Sequence, residues 1–192
     1  MSVANTLVKL HHQVFEAIAK IGNGWLLETL ARLTFLAVLA LYFWNSANTK
    51  IGEGLTGFLR VQDGAYFQIL GEVGMMKFDF DTANIPWYID SIVHIGTYCE
   101  FLLPLLIIIG LFTRIAAAGM AIFIFVQSYV DIYIHNVDAT TVGKLFDREA
   151  TSLVYDQRAL WLFLLAVLIL KGAGKLSLDA ILSRYWAGRN SQ

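Results

Sequence analysis

Charge is scarce in this chain. Asp, Glu, Lys and Arg make up 15% of 192 residues, against 57% hydrophobic, where soluble domains carry about 25% charged residues. That deficit excludes an ordinary soluble domain and points to a bilayer. The opposite charges cancel to a formal net of −1, so no basic surface is there to attract nucleic acid. Cysteine occurs once, as Cys99, which excludes an intrachain disulfide and a Cys-x-x-Cys redox pair. A phosphate loop is missing too, because Gly52, Gly54 and Gly57 are not followed by Lys-Ser/Thr. The first twenty residues hold no continuous apolar core, so no cleavable signal peptide is expected and the first span directs its own insertion.

What is present reads as one helical membrane domain over 1–192. Val3, Leu7, Leu10, Val14, Ile18 and Ile21 recur at three- and four-residue spacing with Lys9, His12, Gln13, Glu16 and Lys20 between them. This predicts an amphipathic helix over 1–21 lying along the membrane interface. Ile21-Gly22-Asn23-Gly24 is expected to end it. Four stretches approach the ~20 apolar residues a span requires: about 25–46, 87–113, 114–136 and 155–170. Trp25, Tyr42, Trp44, Trp87 and Tyr88 sit where aromatic belts form. Residues 47–86, with six glycines between Gly52 and Gly74, read as a loop with short helices. Ser177 can N-cap a last amphipathic helix over 177–187.

Four spans put both termini on one side. That side collects Lys9, Lys20, Arg114, Lys171, Lys175, Arg184 and Arg189; the opposite loops carry Lys50, Arg60, Lys77, Lys144 and Arg148. Counting Lys and Arg places both termini in the cytoplasm.

The run Glu100-Phe-Leu-Leu-Pro104 through Gly110-Leu-Phe-Thr-Arg114 resembles the central signature of the DoxX family. Ala159-Leu-Trp161 through Gly172-Ala-Gly174-Lys-Leu-Ser177-Leu-Asp179 is similar to that family's ending, and Arg32 with Asn45…Lys50-Ile51-Gly52 to its beginning. The resemblance covers roughly Leu30 to Leu182. It implies a multi-pass four-helix protein of the bacterial inner membrane, redox- or quinone-linked. Gly-Ala-Gly stands where many members have Gly-Pro-Gly, and the lone Cys99 does not support a thiol relay.

Two groups of residues are candidates for chemistry. Glu100 lies near the middle of its span, where a charged residue costs about 2.5–3.5 kcal/mol to insert. Arg32, roughly 6 Å to the cytoplasmic side of its own span's centre by helical rise, is its expected partner in a structural ion pair. Glu100 itself is the candidate catalytic, proton-handling group. Glu28 and Arg32, four apart, could also pair. The second group lies toward the outer face. Asp90 and His94, and Asp131 and His135, are each four apart and so share helix faces. Gln127 extends the stripe inward, while Asn45, Asp156 and Arg158 enter the same layer. Asn45, His94, Gln127, Asp131 and His135 are the candidate ligand-binding set, with Asp90, His94, Asp131 and His135 as metal candidates. Three readings stay open: a hydrated funnel, a site for a polar ligand such as a quinone, and a metal site. Haem is disfavoured, because His135 falls near a helix end.

The functional expectation is a redox-linked, quinone-associated membrane subunit or accessory with an outward-facing polar pocket. Its partners would be the bilayer, another membrane or redox protein, and a second copy of the chain. The alternative is a non-catalytic membrane partner, scaffold or small-solute transporter.

Overall fold

In a computed structural model that describes residues 3–189, 78% of the chain is helical and the described residues form no strand. Met1, Ser2 and 190–192, which belong to the expected domain, lie outside the described residues. Helix α1 covers Val3–Ile21 and continues without a break through a π turn at Gly22–Leu26 into α2, Leu27–Asn48. The expected stop at Gly22-Asn23-Gly24 is therefore corrected. No proline withholds an N–H there, and Leu27 N–H reaches the Gly22 carbonyl five residues back, so the chain keeps helical bonding in a widened turn. Then follow α3 (Asp63–Met76), α4 (Trp87–Ile109), α5 (Thr113–Ile134), α6 (Leu153–Lys171) and α7 (Leu178–Arg189).

Among the described residues α2, α4, α5 and α6 are long and apolar enough to cross a bilayer. Each packs on its neighbour in sequence, and α6 closes the ring against α2. The chain is an all-α, integral-membrane four-helix bundle with amphipathic helices at both ends. Its dry core is built from Phe35, Leu39, Ala40, Ile107, Ala116, Ala117, Met120, Leu165 and Leu168. The small residues let α4 and α5 approach closely: a Cβ on Gly119 would lie 3.2 Å from Leu103. Helix α1 buries no residue against the rest of the chain, so its apolar stripe is free to meet lipid.

One end of the bundle is tied by a knot of polar contacts. Helix α4 stops at Gly110, in the left-handed region at φ 70°, ψ 44°. Arg32 reaches this stop and donates to the carbonyls of Ile107 (3.0 Å) and Ile108, and to those of Ala173 (3.1 Å) and Leu176 (2.5 Å). Those at Ile107 and Ile108 belong to the last turn of α4, where carbonyls lack the usual i+4 partner; Ile107 also accepts from the Gly110 N–H at 3.2 Å. Asp179 accepts from the N–H groups of Phe112 and Thr113 and from the Thr113 hydroxyl, capping α5. Ser177 accepts from Ala180 N–H as the N-cap of α7, as expected, and donates to the Gly174 carbonyl. Gly110→Ala is expected to cost about 2–5 kcal/mol, from left-handed backbone strain plus overpacking. The new Cβ would sit 2.5 Å from Ser177 Cβ and 3.0 Å from Arg32 Cζ. Equilibrium unfolding in mixed micelles measures this.

At the other end the 49–86 connection folds back onto the bundle. Helix α3 packs on α4 and on the last turn of α5, with Ala65, Tyr66, Met75, Ile85 and Val93 forming a second small core. Trp44 donates to the Phe101 carbonyl at 3.2 Å, so α2 ends level with the middle of α4. Beyond that level, α3 replaces α2 as the neighbour of α4.

Candidate functional site

Where α2 ends, the chain turns inward. Lys50 N–H bonds the Ala47 carbonyl, and Gln62 N–H returns to the Lys50 carbonyl at 2.8 Å, closing a compact loop. Gly52 and Gly57 cross so closely inside it that a Cβ on Gly57 would lie 2.3 Å from the Gly52 carbonyl carbon. Only glycine fits that crossing. The loop holds the Lys50 ammonium 2.7 and 2.9 Å from the two Glu100 oxygens, with the Ser46 hydroxyl at 2.8 Å. The two side chains are 6% and 8% exposed. Helical rise places Glu100 about 20 Å from Trp87 and about 14 Å from Ile109, well inside the ~30 Å hydrocarbon layer.

The expected Arg32–Glu100 pair is thus corrected. Glu100 is neutralised by Lys50, while Arg32 lies at the Gly110 end and spends its donors on backbone carbonyls. Glu28 does not pair with Arg32 either; its side chain is buried, with Oε2 unpartnered. Lys50 is the residue that the sequence reading missed, having been counted as a loop charge. Its one sequence signal is its place, a lysine directly after the first span.

A cavity of about 240 Å³ stands over this pair, between α3, α4, α5 and the end of α2. Ser46, Lys50, Glu100 and Phe123 lie at its deep end, and Gln68, Asp131 and His135 at its polar mouth. Gly96, Ile69, Ile92, Val126, Gln127 and Val130 line the rest. The Gln127 amide donates to the Tyr42 hydroxyl at 2.9 Å, while its buried Oε1 has no partner. A buried acceptor without a donor costs about 1–3 kcal/mol; this oxygen exposes almost no surface, so it is not presented to the cavity.

Of the expected ligand-binding set, Gln127, Asp131 and His135 meet at this cavity together with Glu100. Asn45 is exposed and is not in its lining. His94 also lies outside the lining: its Nδ1 faces the Asp90 carbonyl at 3.0 Å and the Asp90 carboxylate at 3.3 Å, and the Tyr66 hydroxyl donates to Asp90. Burial, then the bond to Asp90, holds the Tyr66 phenol above the ordinary tyrosine range. Asp131 is paired with the fully buried Arg158, which also donates to Ser128 at 2.9 Å. Two π turns, Val130–Ile134 and Leu153–Gln157, carry Asp131 and lead into Arg158. Asp156 is drawn into a reciprocal cap with Ser152. His135 Nε2 meets the Gln68 carbonyl at 2.8 Å, next to the break of α3 at Gly71.

The metal candidates are therefore corrected. Asp90 and His94 stand with Tyr66, whereas Asp131 faces Arg158 and His135 faces α3. Among the described residues no group of three or more His, Cys, Asp or Glu converges to hold a metal.

The chain is 28% identical over 166 residues to an uncharacterized protein of Haemophilus influenzae, covering 86% of this chain and 89% of that relative. No family model and no solved structure matches it.

Proposed function

We propose that this chain is a DoxX-like, redox-linked subunit or accessory of a bacterial inner membrane, whose cavity takes the polar ring of a quinone-like molecule. The observation that carries the reading is the cavity itself. An ion pair at membrane depth lines it, together with the polar side chains of Gln68, Gln127, Asp131 and His135. A ring that exchanges electrons must also exchange protons, and Glu100 is the group positioned to pass them. Lys50 pairs with it at that depth. The volume suits a ring-sized head rather than a whole drug-sized ligand, for which pockets run about 300–1,000 Å³. No electron-carrying motif accompanies the site, so the electrons come from a partner redox protein.

The same ion pair supports an orientation. With Lys50 inside the bundle, the long-loop side keeps Arg60, Lys77, Lys144 and Arg148 against seven basic residues on the side of the termini. That widened margin supports cytoplasmic termini and a cavity that opens outward. The dry core between Glu100 and the Gly110 end argues against solute passage.

The test is purification from native membranes, with extraction of bound lipophilic molecules and identification of co-purifying proteins. A ring-headed ligand and a redox partner are expected; a lone, ligand-free chain overturns the reading. In Glu100→Gln an amide still accepts from Lys50, so the complex is expected to assemble while losing turnover. Normal turnover in that variant removes Glu100 from the chemistry.

A further inference from the structure

The cavity is lined by exposed polar residues and by exposed apolar ones, and the apolar ones bear on how a ligand arrives. Ile92, Gly96 and Glu100 are spaced four apart and form one stripe of α4. Phe123, Val126 and Val130 form the facing stripe of α5. Near the Gly110 end these helices touch through Gly119 and Leu103, and toward the long loop α3 packs on both of them. Ile69 of α3 rests 3.9 Å from where a Gly96 Cβ would be, and Ile134 of α5 fills the space beside Gly71. The gap left between the two stripes is the cavity.

Its polar mouth, at Gln68 and His135, lies at the ends of the spans and faces water. Its apolar rim does not. Ile92 and Val126 line the cavity, yet they are 59% and 55% exposed. By helical rise Ile92 is about 8 Å below the start of α4, and Val126 about 12 Å below the end of α5. An opening at that depth looks into hydrocarbon. At Gly96 an added Cβ would meet only Ile69, at 3.9 Å, so the glycine leaves room beside the cavity.

We infer that the cavity is loaded sideways from the bilayer, through the fissure bordered by Ile92, Gly96 and Val126. The ligand is an amphiphile whose ring enters toward Gln127 and Glu100 while its apolar tail stays among the lipids. The inference rests on the ring-binding reading above and adds the entry route, the need for a tail, and Gly96 as the residue that admits it.

The experiment uses the full chain in lipid nanodiscs and two probes, a decyl-tailed benzoquinone and the same ring without the tail. Gly96→Phe and Val126→Trp plug the fissure from opposite sides. Val126 is lipid-exposed, so its replacement leaves the core intact should Gly96→Phe fail to fold. Each plug is expected to weaken the tailed probe at least about tenfold, and the tail-less probe, which enters through the aqueous mouth, by less than about twofold. Equal loss of both probes, or no loss of either, overturns lateral entry alone. If the unaltered chain binds neither probe, the ring-binding reading falls and lateral entry with it.

Discussion

Lys50→Met is expected to destabilise the bundle by about 3–5 kcal/mol, the usual cost of removing one partner from a buried ion pair. The ammonium directs its contacts to the two Glu100 oxygens and to Ser46. Without it the carboxylate is left beneath Phe123 and Gly96, far from either aqueous face, and must take up a proton or draw in water. The paired replacement Lys50→Met/Glu100→Leu behaves differently. Buried pairs exchanged for apolar side chains of similar volume are often neutral or stabilising by about 1–4 kcal/mol, so the double variant is expected near or above the stability of the unaltered chain. The coupling between the two sites should be at least about 3 kcal/mol. Unfolding of the four proteins in mixed micelles measures it, and simple addition of the single effects would show that the pair is not a unit. A double variant that is stable but no longer binds a ring probe would separate the two roles. Stability does not need the ion pair, so its retention at that depth would then be owed to the ligand.

The four spans were legible because each is a nearly uninterrupted apolar run, and their boundaries fall within a few residues of those expected. The cap of the last helix was legible too, since Ser177 is a local signal and its hydroxyl acts within one turn. Depth was harder to read. Arg32 and Lys50 were the two cations near the first span, and periodicity alone does not say how that span is staggered against α4. The stagger is set by the contact of Trp44 with Phe101 and by the glycine crossing at Gly52 and Gly57, neither of which leaves a pattern in one sequence. The outer polar layer failed for a related reason. Spacing by four put Asp90 and His94 on one face correctly, but it could not foresee that α3 would bring Tyr66 to them, or that Arg158 would claim Asp131. Gln127, Asp131 and His135 reached the cavity together because one continuous helical stripe carries them, and a stripe is what a sequence displays.

A double-mutant cycle between Arg32 and Glu100 is expected to give a coupling of no more than about 0.5 kcal/mol, the limit for sites that share no partners. This decides between the arrangement that depth arithmetic suggested and the one the packing adopts. Arg32→Met alone should be severe. Hydrogen bonds to a charged group contribute about 1.5–3 kcal/mol each, and four carbonyls at the end of α4 and in the 173–176 turn would lose the guanidinium at once. A loss of about 3–6 kcal/mol is expected, less than the sum because water reaches the emptied turn. Arg32→Lys should recover less than half, since a single ammonium cannot fork among carbonyls from two segments. Neither change should alter binding of a ring probe by more than about twofold, for the dry core from Phe35 to Leu168 stands between the knot and the cavity. A large coupling between Arg32 and Glu100, or loss of probe binding in a folded Arg32→Lys, would mean that the two ends act together. Their independence is what the geometry requires: at the Gly110 end a cation fastens helix ends, and in the middle of the bundle a different cation pairs with an acid that lines the cavity.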